Sequence, residues 1–276
     1  SIIGAPGNLM GVSALNELGI ETSFFEYLIV GGPMLLAGIL FFALFGYKLL
    51  PKNSGAASLE DDQFAVKDYS DVPKWKQYMS LAVLVIAILA MVFEKQIGIK
   101  LQVSASVGAI ILILTGVISE KEALKSIDLK TVFLFGGSLA LATALEHTGA
   151  GSLIADTLIG AMGNEVHPLI LLVVIFVITC TMTNFMSNTA TTALMVPIAV
   201  SLAQGLGADP RAVVIATVIA GSCAYATPIG MPANTMVVGI GGYKFIDYVK
   251  AGLPLILVSF IICMVILPVA YPFFPA

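Results

Sequence analysis

The residues best placed to do chemistry in this sequence carry no charge. Between Thr179 and Thr192, nine side chains are hydroxyls or amides: Thr179, Thr181, Thr183, Asn184, Ser187, Asn188, Thr189, Thr191 and Thr192. A second stretch, Thr227-Pro228-Ile229-Gly230-Met231-Pro232-Ala233-Asn234, sets two prolines around a glycine and cannot continue a helix. Hydroxyl and amide oxygens, with carbonyls freed at a helix C-terminus, suit a hard cation such as Na⁺. The free N–H groups and positive dipole end of a helix N-terminus suit an anion.

Both stretches lie inside charge-free runs. Pro168 to Ala208 is 41 residues and Ala212 to Tyr243 is 32, without one Asp, Glu, Lys, Arg or His. A proton-coupled carrier keeps an ionisable group at depth, and an anion pore uses Arg or Lys. An anion held without protein cations needs bound cations beside it. At 4 Å a unit charge pair is worth about 4 kcal/mol at an effective dielectric of ~20. Sodium coupling is the simplest expectation. A tenfold gradient supplies about 1.4 kcal/mol per ion, and each net charge moved adds ~2.3 kcal/mol per 100 mV.

The elements that position these stretches follow from composition. Of 276 residues, 58% are hydrophobic and only 11% charged, with a mean hydropathy of +1.00. A soluble domain carries about a quarter charged residues, so this is an all-α, polytopic integral membrane protein. No basic patch suggests nucleic acid. Cys180, Cys223 and Cys263 are far apart in apolar runs and read as packing residues rather than a metal or disulfide set.

Uncharged runs predict spans over 77–93, 101–119 and 131–147, and a last span over 251–274. Residues 168–204 read as a re-entrant hairpin, because its polar middle is tolerated at depth only when buried in protein. Residues 211–240 read as one broken span. Residues 51–76 form a connector; Lys48 to Lys76 holds five Lys and five acidic residues. With the connector cytoplasmic, ten basic residues fall inside against Lys95, Lys100 and Arg211 outside, as the positive-inside bias requires.

The chain also repeats itself. Ile3-Gly4-Ala5-Pro6-Gly7-Asn8-Leu9-Met10 aligns with Ile229-Gly230-Met231-Pro232-Ala233-Asn234-Thr235-Met236. Phe24-Phe25-Glu26-Tyr27 aligns with Phe245-Ile246-Asp247-Tyr248, and Gly31-Gly32-Pro33 with Gly252-Leu253-Pro254. Two homologous halves follow: residues 1–50 end the first and 77–276 make the second. An odd number of spans between their breaks inverts one half against the other, the plan of a secondary transporter. The first half's own hairpin is expected upstream of Ser1, and a chain with one half-site is expected not to transport by itself.

Phe133-Leu134-Phe135-Gly136-Gly137-Ser138-Leu139-Ala140-Leu141-Ala142, then Ser187-Asn188-Thr189-Ala190-Thr191, then Thr227 to Asn234, resemble the divalent anion:Na⁺ symporter family and its INDY-type dicarboxylate carriers. The resemblance covers the chain as the C-terminal part of a member. It implies an elevator-type homodimer in a bacterial inner (cytoplasmic) membrane, carrying a C4 dicarboxylate such as succinate, or sulfate, with Na⁺. By resemblance Ser187, Asn188, Thr189 and Pro232 bind substrate. Thr183, Met186 by its carbonyl, Asn188, and Gly230 by its carbonyl hold one sodium; Gly4 belongs to the other. Met231 and Ala233 depart from the family's usual Thr and Pro, which leaves the substrate more open than the family.

Blander roles stand beside these. Ser187, Asn188 and Thr189 can cap helix ends, and Thr181, Asn184, Thr191 and Thr192 can bond back to their own helix. Glu26 and Asp247 read as structural caps, Glu146 and His147 as interfacial, and His167 as a solvated loop residue. The rivals are a dicarboxylate exchanger of the same fold, a cation/proton antiporter or arsenite-type exporter, and a non-transporting scaffold. No enzymatic role is expected.

Overall fold

The computed structural model describes residues 1–51, 72–150, 153, 157, 160, 167–241 and 243–274, with their side chains except at 95, 130–131, 134–135, 138–139, 141–142, 145–146, 232, 236 and 239–241. Most of the expected connector therefore lies outside the described residues, as does the side chain of Pro232. Every regular element among the described residues is helical. The chain divides into two compact units, Ser1–Leu59 with Thr131–Ala276, and Glu60–Lys130.

In the larger unit, a 3-10 turn (Ile2–Gly4) leads into α1 (Pro6–Glu17), with Pro6 in the first turn, where its missing N–H is harmless. Next comes α2 (Leu28–Leu44), ending near a second 3-10 turn, Gly46–Leu49. In the smaller unit, α3 (Lys74–Val92), α4 (Glu94–Ile97), α5 (Leu101–Leu114) and α6 (Glu120–Lys125) follow. Helix α3 packs on α5, where Gly108 approaches Val83 and Ala87. Helix α5 stops short of the expected 101–119, because Gly116 adopts φ +71° and turns the chain. Ser119 and Glu122 then start α6 with a reciprocal capping box.

Beyond α7 (Leu129–Thr148), the larger unit continues with α8 (Pro168–Thr183), α9 (Asn188–Gly205), α10 (Arg211–Gly221), α11 (Pro232–Gly241) and α12 (Phe245–Ala270). His167 is more than a loop residue: its Nδ1 accepts the Leu169 N–H at 3.2 Å and caps α8. Helix α12 starts ahead of the expected 251, since Asp247 accepts the Lys244 N–H at 2.8 Å and fixes its first turn.

Helix α10 is the axis of this unit. Every residue from Ala212 to Gly221 is buried, and α10 packs against α1, α8, α9 and α12. Helices α2 and α12 instead leave Leu35, Leu36, Ile39, Leu257, Val265 and Val269 more than half exposed, an apolar surface suited to hydrocarbon. By length and composition α3 and α12 are long and apolar enough to cross a membrane. Helix α10, with 11 residues, rises only about 16 Å, roughly half of a ~30 Å hydrocarbon core.

Candidate functional site

Four helix ends meet at one place. Helix α8 ends at Thr183 and α10 at Gly221, and the Thr183 hydroxyl donates to the Gly221 carbonyl at 2.5 Å. Four residues after α8 ends, α9 begins at Asn188. Its side-chain amide lies 2.8 Å from Thr183 Oγ1, 3.2 Å from the Gly230 carbonyl and 3.3 Å from the Gly221 carbonyl. Gly230 stands two residues before α11. The expected Thr183, Asn188 and Gly230 are thus together, and the Gly221 carbonyl joins them, a partner the sequence reading missed.

The Asn188 amide can turn either way. With its nitrogen inward it donates to Thr183 Oγ1 and to the Gly230 and Gly221 carbonyls. With its oxygen inward, four oxygens face one another: Thr183 Oγ1, Asn188 Oδ1 and the two carbonyls. The Thr183 hydroxyl, 2.8 Å from Asn188 Oδ1 and 2.5 Å from the Gly221 carbonyl, has one proton to share among them, and a cation would satisfy the rest; neutral oxygens of this kind suit a hard one. Helix dipoles add to the sorting. The carbonyl ends of α8 and α10 favour positive charge, whereas the N–H ends of α9 and α11 favour negative charge.

Two glycines allow this approach. A Cβ on Gly230 would lie 2.6 Å from the Thr183 carbonyl and 2.7 Å from the Ala224 Cβ. A Cβ on Gly221 would lie 2.5 Å from the Thr192 hydroxyl, which itself donates to the Asn188 carbonyl at 2.9 Å. From the other side Gly7 of α1 abuts the same Thr192. Thr192 bonds back along its own helix, as expected, and also wedges α1, α9 and α10 together.

The remaining expected residues fall around this cluster. Ser187 is exposed and caps α9 by accepting the Ala190 N–H at 3.3 Å. Thr189 is half-buried in the first turn of α9. Met186 lies in the tip between α8 and α9, its N–H donating to Met182 at 2.9 Å. Pro232 opens α11 at its first position. Gly4 is not brought to the cluster among the described residues; it closes the first 3-10 turn, beside Ser1 and Asn8. A nearby cavity of about 850 Å³, lined in part by Asn8, Tyr27, Ser222, Tyr225 and Ser259, includes none of Ser187, Asn188 and Thr189.

The unwound link between α10 and α11 begins earlier than the Pro-rich stretch predicts, at Ser222 rather than near Thr227. Three of its local bonds recur at the aligned positions near the start of the chain. Asn234 Nδ2 donates to the Thr227 carbonyl at 2.9 Å, and Asn8 Nδ2 to the Ser1 carbonyl at 2.9 Å. Tyr248 donates to the Asn234 carbonyl at 2.8 Å, and Tyr27 to the Asn8 carbonyl at 3.0 Å. Asp247 accepts the Lys244 N–H and Glu26 the Ser23 N–H, each from three residues back, so both act as caps.

A family model described as "Citrate transporter" matches residues 1–220, most of the chain. The chain belongs to the citrate transporter family. It is a membrane protein of a transporter family, and its relatives agree with the resemblance to divalent anion:Na⁺ symporters. The uncharacterized transporter YfbS of Escherichia coli (strain K12) is 36% identical over 156 residues, 56% of this chain and 25% of that protein. The uncharacterized transporter MJ0672 of Methanocaldococcus jannaschii is 29% identical over 269 residues, covering 94% of this chain and 58% of that protein. The sodium-dependent dicarboxylate transporter SdcS of Staphylococcus aureus (strain USA300) is 27% identical over 299 residues, covering 98% and 56%. The chain therefore spans between a quarter and somewhat over half the length of these curated relatives.

Proposed function

We propose that this member of the citrate transporter family is a secondary active transporter that moves Na⁺ together with a divalent anion, a C4 dicarboxylate such as succinate. The observation that carries the reading is the meeting of two carbonyl-ended and two N–H-ended helix termini in a stretch of sequence without charged side chains. Thr183 Oγ1, Asn188 Oδ1 and the carbonyls of Gly221 and Gly230 take Na⁺ as cargo, with the Met186 carbonyl beside them. The amide of Asn188 turns with the ion: nitrogen inward when the cluster is bonded to itself, oxygen inward when Na⁺ is present. Its neighbours Ser187 and Thr189, with the first turns of α9 and α11 and Pro232, hold the anion. Bound Na⁺ supplies the positive charge that the protein does not, so each solute raises the affinity for the other.

The paired hydrogen bonds around Asn8 and Asn234 support two homologous halves, with Gly4 contributing to a separate, first sodium site in the first half. Inversion of the halves follows from the lysine distribution. The resemblance adds a homodimer, an elevator movement of the hairpin bundle against a scaffold, and a bacterial inner membrane. The name of SdcS supports sodium and dicarboxylate, and the family description makes citrate a third substrate to set beside succinate and sulfate.

The test is uptake of labelled succinate by the transporter in proteoliposomes under an inward Na⁺ gradient, repeated with choline in place of Na⁺ at matched pH. Uptake that needs Na⁺ and is lost in Asn188→Ala is the expected result. Uptake that persists in choline replaces symport by exchange or proton coupling. No succinate uptake, with uptake of citrate or sulfate instead, moves the substrate and points to Met231.

A further inference from the structure

The unwound link from Ser222 to Met231 needs partners for its backbone. Peptide groups at membrane depth are tolerated only when bonded within the protein. Two asparagines outside the link bond four of its peptide groups, the carbonyls of Cys223, Ala224 and Thr227 and the Ala226 N–H. Asn184, which is 5% exposed, follows α8 directly. Its Nδ2 donates to the Cys180 carbonyl at 2.7 Å, the back-bond expected of it, and also to the Cys223 carbonyl at 3.3 Å. Its Oδ1 accepts the Ala226 N–H at 2.9 Å, and its own carbonyl accepts the Thr227 hydroxyl. Thr227 Oγ1 in turn accepts the N–H groups of Ile229 and Gly230, each at 3.3 Å. On the α11 side, Asn234 Nδ2 donates to the carbonyls of Ala224 and Thr227, at 2.7 and 2.9 Å.

We propose that Asn184 and Asn234 are positioning residues that grip this link from the hairpin tip and from α11, and so aim the Gly221 and Gly230 carbonyls at Thr183 and Asn188. Neither amide is bonded to the ion cluster, and neither residue is among those that the resemblance assigns to substrate or sodium. Asn184 acts across 42 residues of sequence on Ala226 and, through Thr227, on Gly230 itself. The second part of the proposal, the aiming of the carbonyls at an ion, rests on the reading that this cluster takes Na⁺.

The experiment uses the transporter in membranes with Cys180 and Cys263 replaced by Ala, so that Cys223 is the thiol observed in this region. Cys223 sits in the gripped link and is 0% exposed, so it is expected to resist a membrane-permeant maleimide. Asn184→Ala and, separately, Asn234→Ala are expected to speed its labelling about tenfold. In uptake assays each is expected to raise the Na⁺ half-saturation about tenfold, with the maximal rate at saturating Na⁺ kept within about twofold. Asn184→Gln, which keeps the amide, is expected to recover part of the Na⁺ affinity. A merely structural role would instead lower the amount of folded protein and scale every rate together. Unchanged labelling in both alanine variants overturns the grip. Faster labelling with unchanged Na⁺ half-saturation, in a transporter that needs Na⁺, overturns the aiming. Where wild-type uptake needs no Na⁺, the symport reading falls first, and faster or unchanged labelling still decides the grip.

Discussion

The hydroxyl of Thr183, the last residue of α8, donates to the carbonyl of Gly221, the last residue of α10, across 2.5 Å. Both residues are buried. Replacing Thr183 by Val keeps the shape but removes a ligand oxygen and one of the two donors to the Gly221 carbonyl, leaving it the Asn188 amide at 3.3 Å. An oxygen lost from a charged partner is worth about 1.5–3 kcal/mol, as for hydrogen bonds to charged groups, and a loss of 1.4 kcal/mol is tenfold in affinity. Thr183→Val is therefore expected to raise the Na⁺ half-saturation of uptake about tenfold or more. Thr183→Ser keeps the oxygen and should stay within about twofold of wild type. Identical Na⁺ titrations for all three proteins would remove Thr183 from the site.

Gly230 is a test of space rather than of bonding. An added Cβ would press on the Thr183 carbonyl at 2.6 Å and on the Ala224 methyl at 2.7 Å. Overpacking of this kind costs about 1–3 kcal/mol, and here it would push the hairpin tip from the link. Gly230→Ala is expected to abolish uptake at Na⁺ concentrations that saturate wild type. Gly31→Ala, in α2 with nothing within 4 Å of its added Cβ, is the control. It should transport normally and melt no lower, since Ala in a helix interior gains about 0.5–1 kcal/mol over Gly.

How much of this was legible before the structure depends on which atom acts. Asn188 was legible because an amide beside two hydroxyls in an apolar run has few bland explanations. The break around Gly230 was legible from its prolines, while its carbonyl as a ligand came only from the resemblance. Gly221 was not, because its contribution is a main-chain carbonyl that every residue possesses. What singles it out is the arrival of Thr183 from 38 residues away, a tertiary contact that no local pattern encodes. The same holds for Asn184: its back-bond to Cys180 is local and was expected, while its grip on Ala226 is not local. The early end of α10 follows from those two captures. By contrast the early end of α5 has a local cause, the left-handed Gly116, and could have been placed from that glycine.

Tyr27 and Tyr248 make a matched pair for testing the internal repeat. Each donates its hydroxyl to the carbonyl of the aligned asparagine, at 3.0 and 2.8 Å. Replacement of either by Phe removes one hydrogen bond and little volume, worth about 0.5–1.5 kcal/mol. The two sites share no partner, so their effects should add within about 0.5 kcal/mol. Thermal melts of the purified transporter are expected to show comparable drops for Tyr27→Phe and Tyr248→Phe and a summed drop for the double variant. A large drop for one and none for the other would mean that the two bonds do not play equivalent parts.

The last prediction concerns pH. Neither Pro168–Ala208 nor Ala212–Tyr243 contains Asp, Glu, Lys, Arg or His, and among unperturbed side chains only His changes charge between about pH 5 and 8. The cluster built on Thr183, Asn188, Gly221 and Gly230 therefore has no group of its own to titrate in that window. Uptake of a dicarboxylate at fixed Na⁺ should then follow the fraction of the substrate present as the dianion, rising with pH and levelling off once ionisation is complete. Sulfate, already a dianion throughout that range, should give a flat profile if it is carried at all. A bell-shaped profile shared by both substrates would require a titrating protein group in the transport cycle, and His147 and His167, which lie outside both runs, would be the first to replace.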